Sequence, residues 1–204
     1  PLTRAVVGHL DGRDPAPLAG LVGLVDAAVW DLAAATFETR RELAAYCERW
    51  AEAIIVPLAR LAAPEVGPAA RSLGAALREG ELLGRLAPEA RAGRLRLPLD
   101  ELAQAAVDPA RLGEPPWPPA LASLLRTRHA QLRADLAAAV AALPRAAQTP
   151  LCALLVWAAL ASAASRRAER RLPQALPGSD DAGLLDGWRA WRAARRARGG
   201  RFKL

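Results

Sequence analysis

Apolar residues recur every three to four positions along most of this chain, and prolines and glycines cut the pattern into segments. It reads as a series of helices. Leu2–Leu10 has helical spacing and is closed by Asp11-Gly12. Pro15 and Pro17 open a second segment with Leu18, Leu21, Val22, Val25 and Val29 on one face, ending near Asp31. Thr39 with Glu42 three residues on is a capping box. It starts a long helix carrying Leu43, Tyr46, Cys47, Trp50, Ile54 and Leu58, which Pro57 should kink. Pro64 and Pro68 start a helix running through Leu86, with Leu73, Ala76, Leu77, Leu83 and Leu86 inward. Gly93–Pro98 is a short extended strip and Leu99–Ala106 a short helix. Gly113–Pro119 is Pro-rich and irregular. Three helices follow, at about Pro119–Leu143, Gln148–Leu172 and Asp181–Arg198, the last two separated by the loop Pro173–Asp180.

Composition agrees with an all-α chain. Fifty of the 204 residues are Ala and few are β-branched, which disfavours a sandwich or barrel. The length suits one domain. Its expected organisation is a helical domain over 1–172, followed by a loop and basic helix over 173–204. The chain starts at Pro1, so it is expected to be processed or a fragment. The most apolar run, Leu151–Ala164, is short of the roughly 20 residues that span a bilayer. It is expected to be a buried core helix.

Charge is unevenly placed. Net charge is +7, and the seven cations from Arg189 to Lys203 stand in a stretch without acids; the rest carries 21 of each sign. A neutral body with a basic tail disfavours a nucleic-acid face. The tail suits phosphates, an anionic membrane surface or an acidic patch on a protein partner. As the end of a solvated helix it also suits the helix dipole. The expected location is cytoplasmic or peripheral to the inner membrane of a bacterium.

Catalytic chemistry is sparse. His9 and His129 have no ligands at zinc spacing, and His129 reads as part of a charged helix face. There is no phosphate-binding glycine loop and no nucleophile elbow. Ser72, Ser123, Ser162 and Ser165 lie in helices without a paired His. Cys47 and Cys152 sit in apolar helical surroundings without metal spacing. Asp26 and Asp31 point about 140° apart on a helix and do not converge on one metal.

Two stretches together resemble the squalene/phytoene synthase family. The first is Val25-Asp26 to Asp31-Leu32 followed by Thr39-Arg-Arg-Glu-Leu-Ala-Ala-Tyr46-Cys47 and Ala51. The second is Leu73-Gly74-Ala-Ala76-Leu77 running into Gly93-Arg94-Leu-Arg96-Leu-Pro98. The resemblance implies an isoprenoid synthase-like helical bundle, incomplete at its N-terminus, that joins two prenyl diphosphates. It also implies Mg²⁺ held by two Asp-rich motifs, the first of which is expected upstream of Pro1. At the second motif the matching positions are Arg78, Glu81, Gly84, Arg85, Pro88 and Glu89, so an Arg replaces the first metal-binding Asp and only Glu89 keeps a carboxylate. The following Tyr is Arg96. This departure resembles the family's non-catalytic branch, which includes the phytoene-synthase-like assembly factor of respiratory complex I and bacterial relatives.

The resemblance therefore implies a non-catalytic binding or assembly protein without a cofactor. The alternative is a head-to-head prenyltransferase of isoprenoid biosynthesis that uses Mg²⁺. The degenerate metal motif is Arg85 and Glu89, and no residue is assigned a catalytic role. Arg94, Arg85 and Arg96 are the candidates for binding a prenyl diphosphate or other isoprenoid-like ligand. Tyr46, Cys47, Leu77 and Glu81 are candidates to line the cavity, Tyr46 and Cys47 being also candidates for plain core packing. Trp50 and Trp157 are expected in the core, Trp117 at the bundle mouth, and Gly74 at a close helix contact.

Overall fold

The structure is a computed structural model that describes residues 22–33, 36–175 and 185–204. Eight α-helices occur among them: α1 (Gly23–Ala33), α2 (Arg40–Ala62), α3 (Gly67–Gly84), α4 (Leu86–Arg91), α5 (Leu99–Gln104), α6 (Pro119–Ala141), α7 (Cys152–Arg171) and α8 (Asp186–Arg198). Short 3₁₀ turns lie at Pro64–Val66, Pro109–Gly113 and Arg145–Ala147. No strand is present among the described residues, where one parallel bridge joins Thr36 and Leu95. The expected helix Leu2–Leu10, His9 and the start of the second segment lie outside the described residues.

Local chemistry sets the element ends. Thr39 caps α2 by accepting from the Glu42 N–H at 3.3 Å. The returning arm of the box differs from the expected one: the Glu42 carboxylate accepts from the N–H of Glu38, at 2.8 Å. The helix expected to run on to Leu86 breaks at Arg85. Pro88 explains the break, because its ring would meet the carbonyl of Gly84 and it has no N–H for an α-helical bond to that carbonyl. Helix α4 then ends in a left-handed Gly93 (φ 78°), with the Arg94 N–H on the Glu89 carbonyl at 2.9 Å. This turn sends the strip 93–98 back across α4. The strip is tied to the segment before α2 by Leu99 N–H to Phe37 carbonyl (2.9 Å) and Asp100 N–H to Glu38 carbonyl (3.0 Å).

The main core gathers α2, α3, α6 and α7 around Leu73, Leu77, Leu125, Leu132 and Leu155, and takes in Ala193, Ala197 and Phe202 from α8 and the chain end. Helices α2 and α3 cross closely because Gly74 has no side chain. A Cβ there would lie 2.8 Å from the Ala51 Cβ and 2.9 Å from the Ile55 Cβ, closer than packed carbons allow. That agrees with the close contact expected of Gly74. A second cluster holds Phe37, Leu43, Tyr46, Cys47 and Leu82, with the Phe37 and Tyr46 rings 5.3 Å apart.

Helical spacing does not by itself mean burial: Val22, Val25 and Val29 of the α1 segment are exposed, and so is Leu58 of α2. Trp50 and Trp157 are half-buried rather than central, and meet edge to face with centroids 6.2 Å apart. Trp117 is buried in the main core, its indole N–H donating to the Leu112 carbonyl at 3.0 Å. No helix among the described residues is long and apolar enough to cross a membrane.

Candidate functional site

The turn at Gly93 decides where the candidate arginines go. By reversing the chain after α4, it lays Arg94 and Arg96 back over Glu89. Arg94 donates to Glu89 through Nε (2.6 Å to Oε2) and Nη2 (3.3 Å to Oε1). Arg96 donates through Nε at 3.3 Å to Oε2, and the Arg85 guanidinium stands 3.7 Å from Oε1. Arg85, Arg94 and Arg96 thus converge on the single carboxylate of Glu89. Glu89 is 7% exposed and Arg96 3% exposed, while Arg85 and Arg94 keep their outer edges in solvent. The Arg94 hydrogen bond holds the Glu89 carboxyl below the usual carboxylate range, against the upward push of burial; the charges of Arg94 and Arg96 add to it.

A second ionic network spans α2, α3, α5 and α6. Glu79 is buried on α3 and takes a forked pair from Arg40 of α2, at 2.9 and 2.8 Å. Arg128 of α6 donates to the same carboxylate, and its Nε lies 3.6 Å from Glu101 of α5. Sequence reasoning misses this network. Its signal is the inward stripe Leu121, Leu125, Arg128/His129, Leu132, Leu136 and Val140, which places two polar residues at core positions of α6.

Between α3, α6 and α7 lies a pocket of about 250 Å³. Leu77 and Glu81, both cavity candidates, line it, with Gly84, Leu132 and Trp157. Glu81 accepts from Arg78 at 3.0 Å, and Arg78 also donates to the Tyr46 hydroxyl, its guanidinium 5.4 Å from the Tyr46 and Trp50 ring centroids. Tyr46 itself faces the groove beside α1, with Asp26, Arg49 and Arg71. Cys47 is buried in the Phe37–Leu82 cluster, and burial pushes its thiol up to about 12, helped by the charge of Glu79. Such a thiol stays protonated and is a poor nucleophile.

His129 corrects two readings. It is buried, not part of a charged face, and its Nδ1 lies 3.2 Å from Ser165 Oγ, so one serine does have a paired His. The two belong to facing positions on α6 and α7 whose distance in sequence hides the contact. Ser165 also donates to the His129 carbonyl and accepts from Arg133, each at 3.2 Å. Burial, and then the charge of Arg133, push His129 down to about 4. The imidazole is therefore neutral in the folded protein at pH 7. Acidification protonates His129 in the unfolded chain first. Folding stability is therefore expected to fall as pH drops from the ordinary His range toward about 4. Between pH 7.5 and pH 5 the loss from this group should be about 2 kcal/mol by linkage. Urea unfolding at the two pH values should show that loss in the parent protein and not in His129→Gln.

The family model described as squalene/phytoene synthase matches residues 1–193. No curated protein and no solved structure matches the chain. The match spans both resembling stretches and most of α8, and the helical architecture agrees with the all-α isoprenoid synthase-like fold of that family. The chain belongs to the squalene/phytoene synthase family.

Proposed function

We propose, for this member of the squalene/phytoene synthase family, a non-catalytic role: a helical scaffold that binds an isoprenoid-like ligand or a protein partner without ionising a prenyl diphosphate. The clamp on Glu89 carries this reading. Family chemistry implies Mg²⁺ at this motif, and the residues present do not fit it. Mg²⁺ seeks carboxylate oxygens in a near-octahedral shell. Here both oxygens of Glu89 accept from arginine, and three guanidinium charges would repel an approaching dication. Among the described residues no three His, Cys, Asp or Glu side chains gather as ligands.

The pocket between α3, α6 and α7 supports binding of an apolar ligand, since leucine, alanine and tryptophan make up most of its wall. Arg85 and Arg94, whose outer edges are solvated, would meet a diphosphate by charge pairing alone. The competing reading is an active head-to-head prenyltransferase, which requires a metal bound at Glu89.

Titration with Mn²⁺ in the presence of a non-hydrolysable farnesyl diphosphate analogue separates the two. Electron paramagnetic resonance of free Mn²⁺ should give the same curve with the parent protein and with Glu89→Gln. Stoichiometric protein-bound Mn²⁺ that disappears in Glu89→Gln would overturn the proposal.

A further inference from the structure

Helix α8 turns the usual order of an amphipathic helix round. Its small residues face the protein: Ala193 and Ala197 are buried in the main core. Its large ones face away. Leu185, Trp188 and Trp191 are 58%, 53% and 58% exposed. Spacings of three and four put Leu185, Trp188, Trp191, Arg192 and Arg195 on one outer stripe. Two tryptophans on one short stripe form an apolar patch larger than scattered surface residues make.

The charge around that patch is one-sided. No acid follows Asp186, while seven cations do. Asp186 is already engaged by Arg167 (2.8 and 2.9 Å) and by Arg189 (2.9 Å). Arg192 and Arg195 pair with no carboxylate among the described residues; they lie over the Trp188 and Trp191 rings, 5.1 and 5.6 Å from the centroids. The groove between α7 and α8, which Trp188 and Arg192 also line, adds Arg166, Arg170 and Arg196.

We infer that the outer face of α8 is a docking surface for an anionic lipid bilayer. Tryptophan and arginine share one preferred depth, the headgroup region, where an indole meets acyl chains and a guanidinium meets phosphate. A helix lying flat with Trp188 and Trp191 downward would place Arg192 and Arg195 at lipid phosphates without moving them from the rings. Charge complementarity selects the anionic bilayer. Nucleic acid fits less well, because each indole already has a guanidinium over its face where a base would stack. The inference rests on this surface alone and is independent of the role proposed for Glu89.

The test is sedimentation of the full chain with sucrose-loaded vesicles, either of phosphatidylcholine alone or with about 30 mol% phosphatidylglycerol. The anionic vesicles should bind at least ~100-fold more tightly in low salt, and raising salt should remove most of that gain. Brominated acyl chains should quench part of the tryptophan emission. Trp188→Ser with Trp191→Ser should weaken binding by ~10-fold or more and abolish the quenching, and Arg192→Gln with Arg195→Gln should weaken binding similarly. All four side chains are on the outer stripe, so circular dichroism should be unchanged. Equal binding to both vesicle types, no binding to either, or binding unaltered by the tryptophan pair would overturn the inference. So would tighter binding to an oligonucleotide than to the anionic vesicles.

Discussion

Glu79→Ala should destabilise the protein by about 3–5 kcal/mol, the cost of removing one partner from a buried ion pair. Glu79 is the anionic centre that Arg40 and Arg128 share, and Arg128 is buried. Truncation leaves that guanidinium in the core with only Glu101 nearby, at 3.6 Å and without a hydrogen bond. The same change also removes the ionic link from the start of α2 to α3 and α6. Guanidinium chloride unfolding should show a large fall in midpoint with little change in slope. The double variant Glu79→Leu with Arg128→Met should recover part of the loss, because it removes the stranded charge together with its partner. A single variant as stable as the parent would mean that the network is not formed in solution.

Glu89→Ala is expected to cost on the order of 3 kcal/mol, for the same reason. Arg96 is 3% exposed and would lose the carboxylate that it faces, with Arg94 and Arg85 left nearby as like charges. Arg96→Leu in the Glu89→Ala background should restore stability. The pH dependence is a second readout. The Glu89 carboxyl titrates lower in the folded protein than in the unfolded chain. Its contribution is therefore complete above the ordinary carboxylate range, and is lost as pH falls beneath it toward the lower folded value. The variant should show a shallower loss of stability in that acid window than the parent. If Glu89 instead served mainly as a metal ligand, its removal would leave the metal-free protein as stable as before or more stable.

These two carboxylates differ in how far the sequence revealed them. Glu89 was legible by alignment of a motif, because Gly93-Arg94 and Pro98 fix the register with Leu73-Gly74. Its partners read in the sequence as anion binders, yet they lie on an anion that the chain itself supplies. The Gly93 turn causes this, and a motif read as a string does not show that the chain folds back on α4. Glu79 went unseen because its partners come from residues 40 and 128, on two other helices. Of the long helices, α2 is legible from its Thr39 cap and apolar period, α6 from the prolines at its start, and α7 from its apolar run. In α1 the same period that marks a core face in α2 lies exposed in Val25 and Val29. Periodicity reports that a face is apolar and not what covers it. The basic tail was legible as charge. That its helix would turn alanines inward and tryptophans outward was not, because a small residue gains its inward place from a close-packed neighbour, here α7.

The most direct measurement of the proposed role is product formation. The full chain is incubated with farnesyl or geranylgeranyl diphosphate and Mg²⁺, and both the substrate remaining and the pyrophosphate released are followed. No Mg²⁺-dependent consumption of either substrate is expected, because the carboxylate at the second motif is committed to Arg94 and Arg96. Condensed product or pyrophosphate that forms with Mg²⁺ and stops on chelation would contradict it.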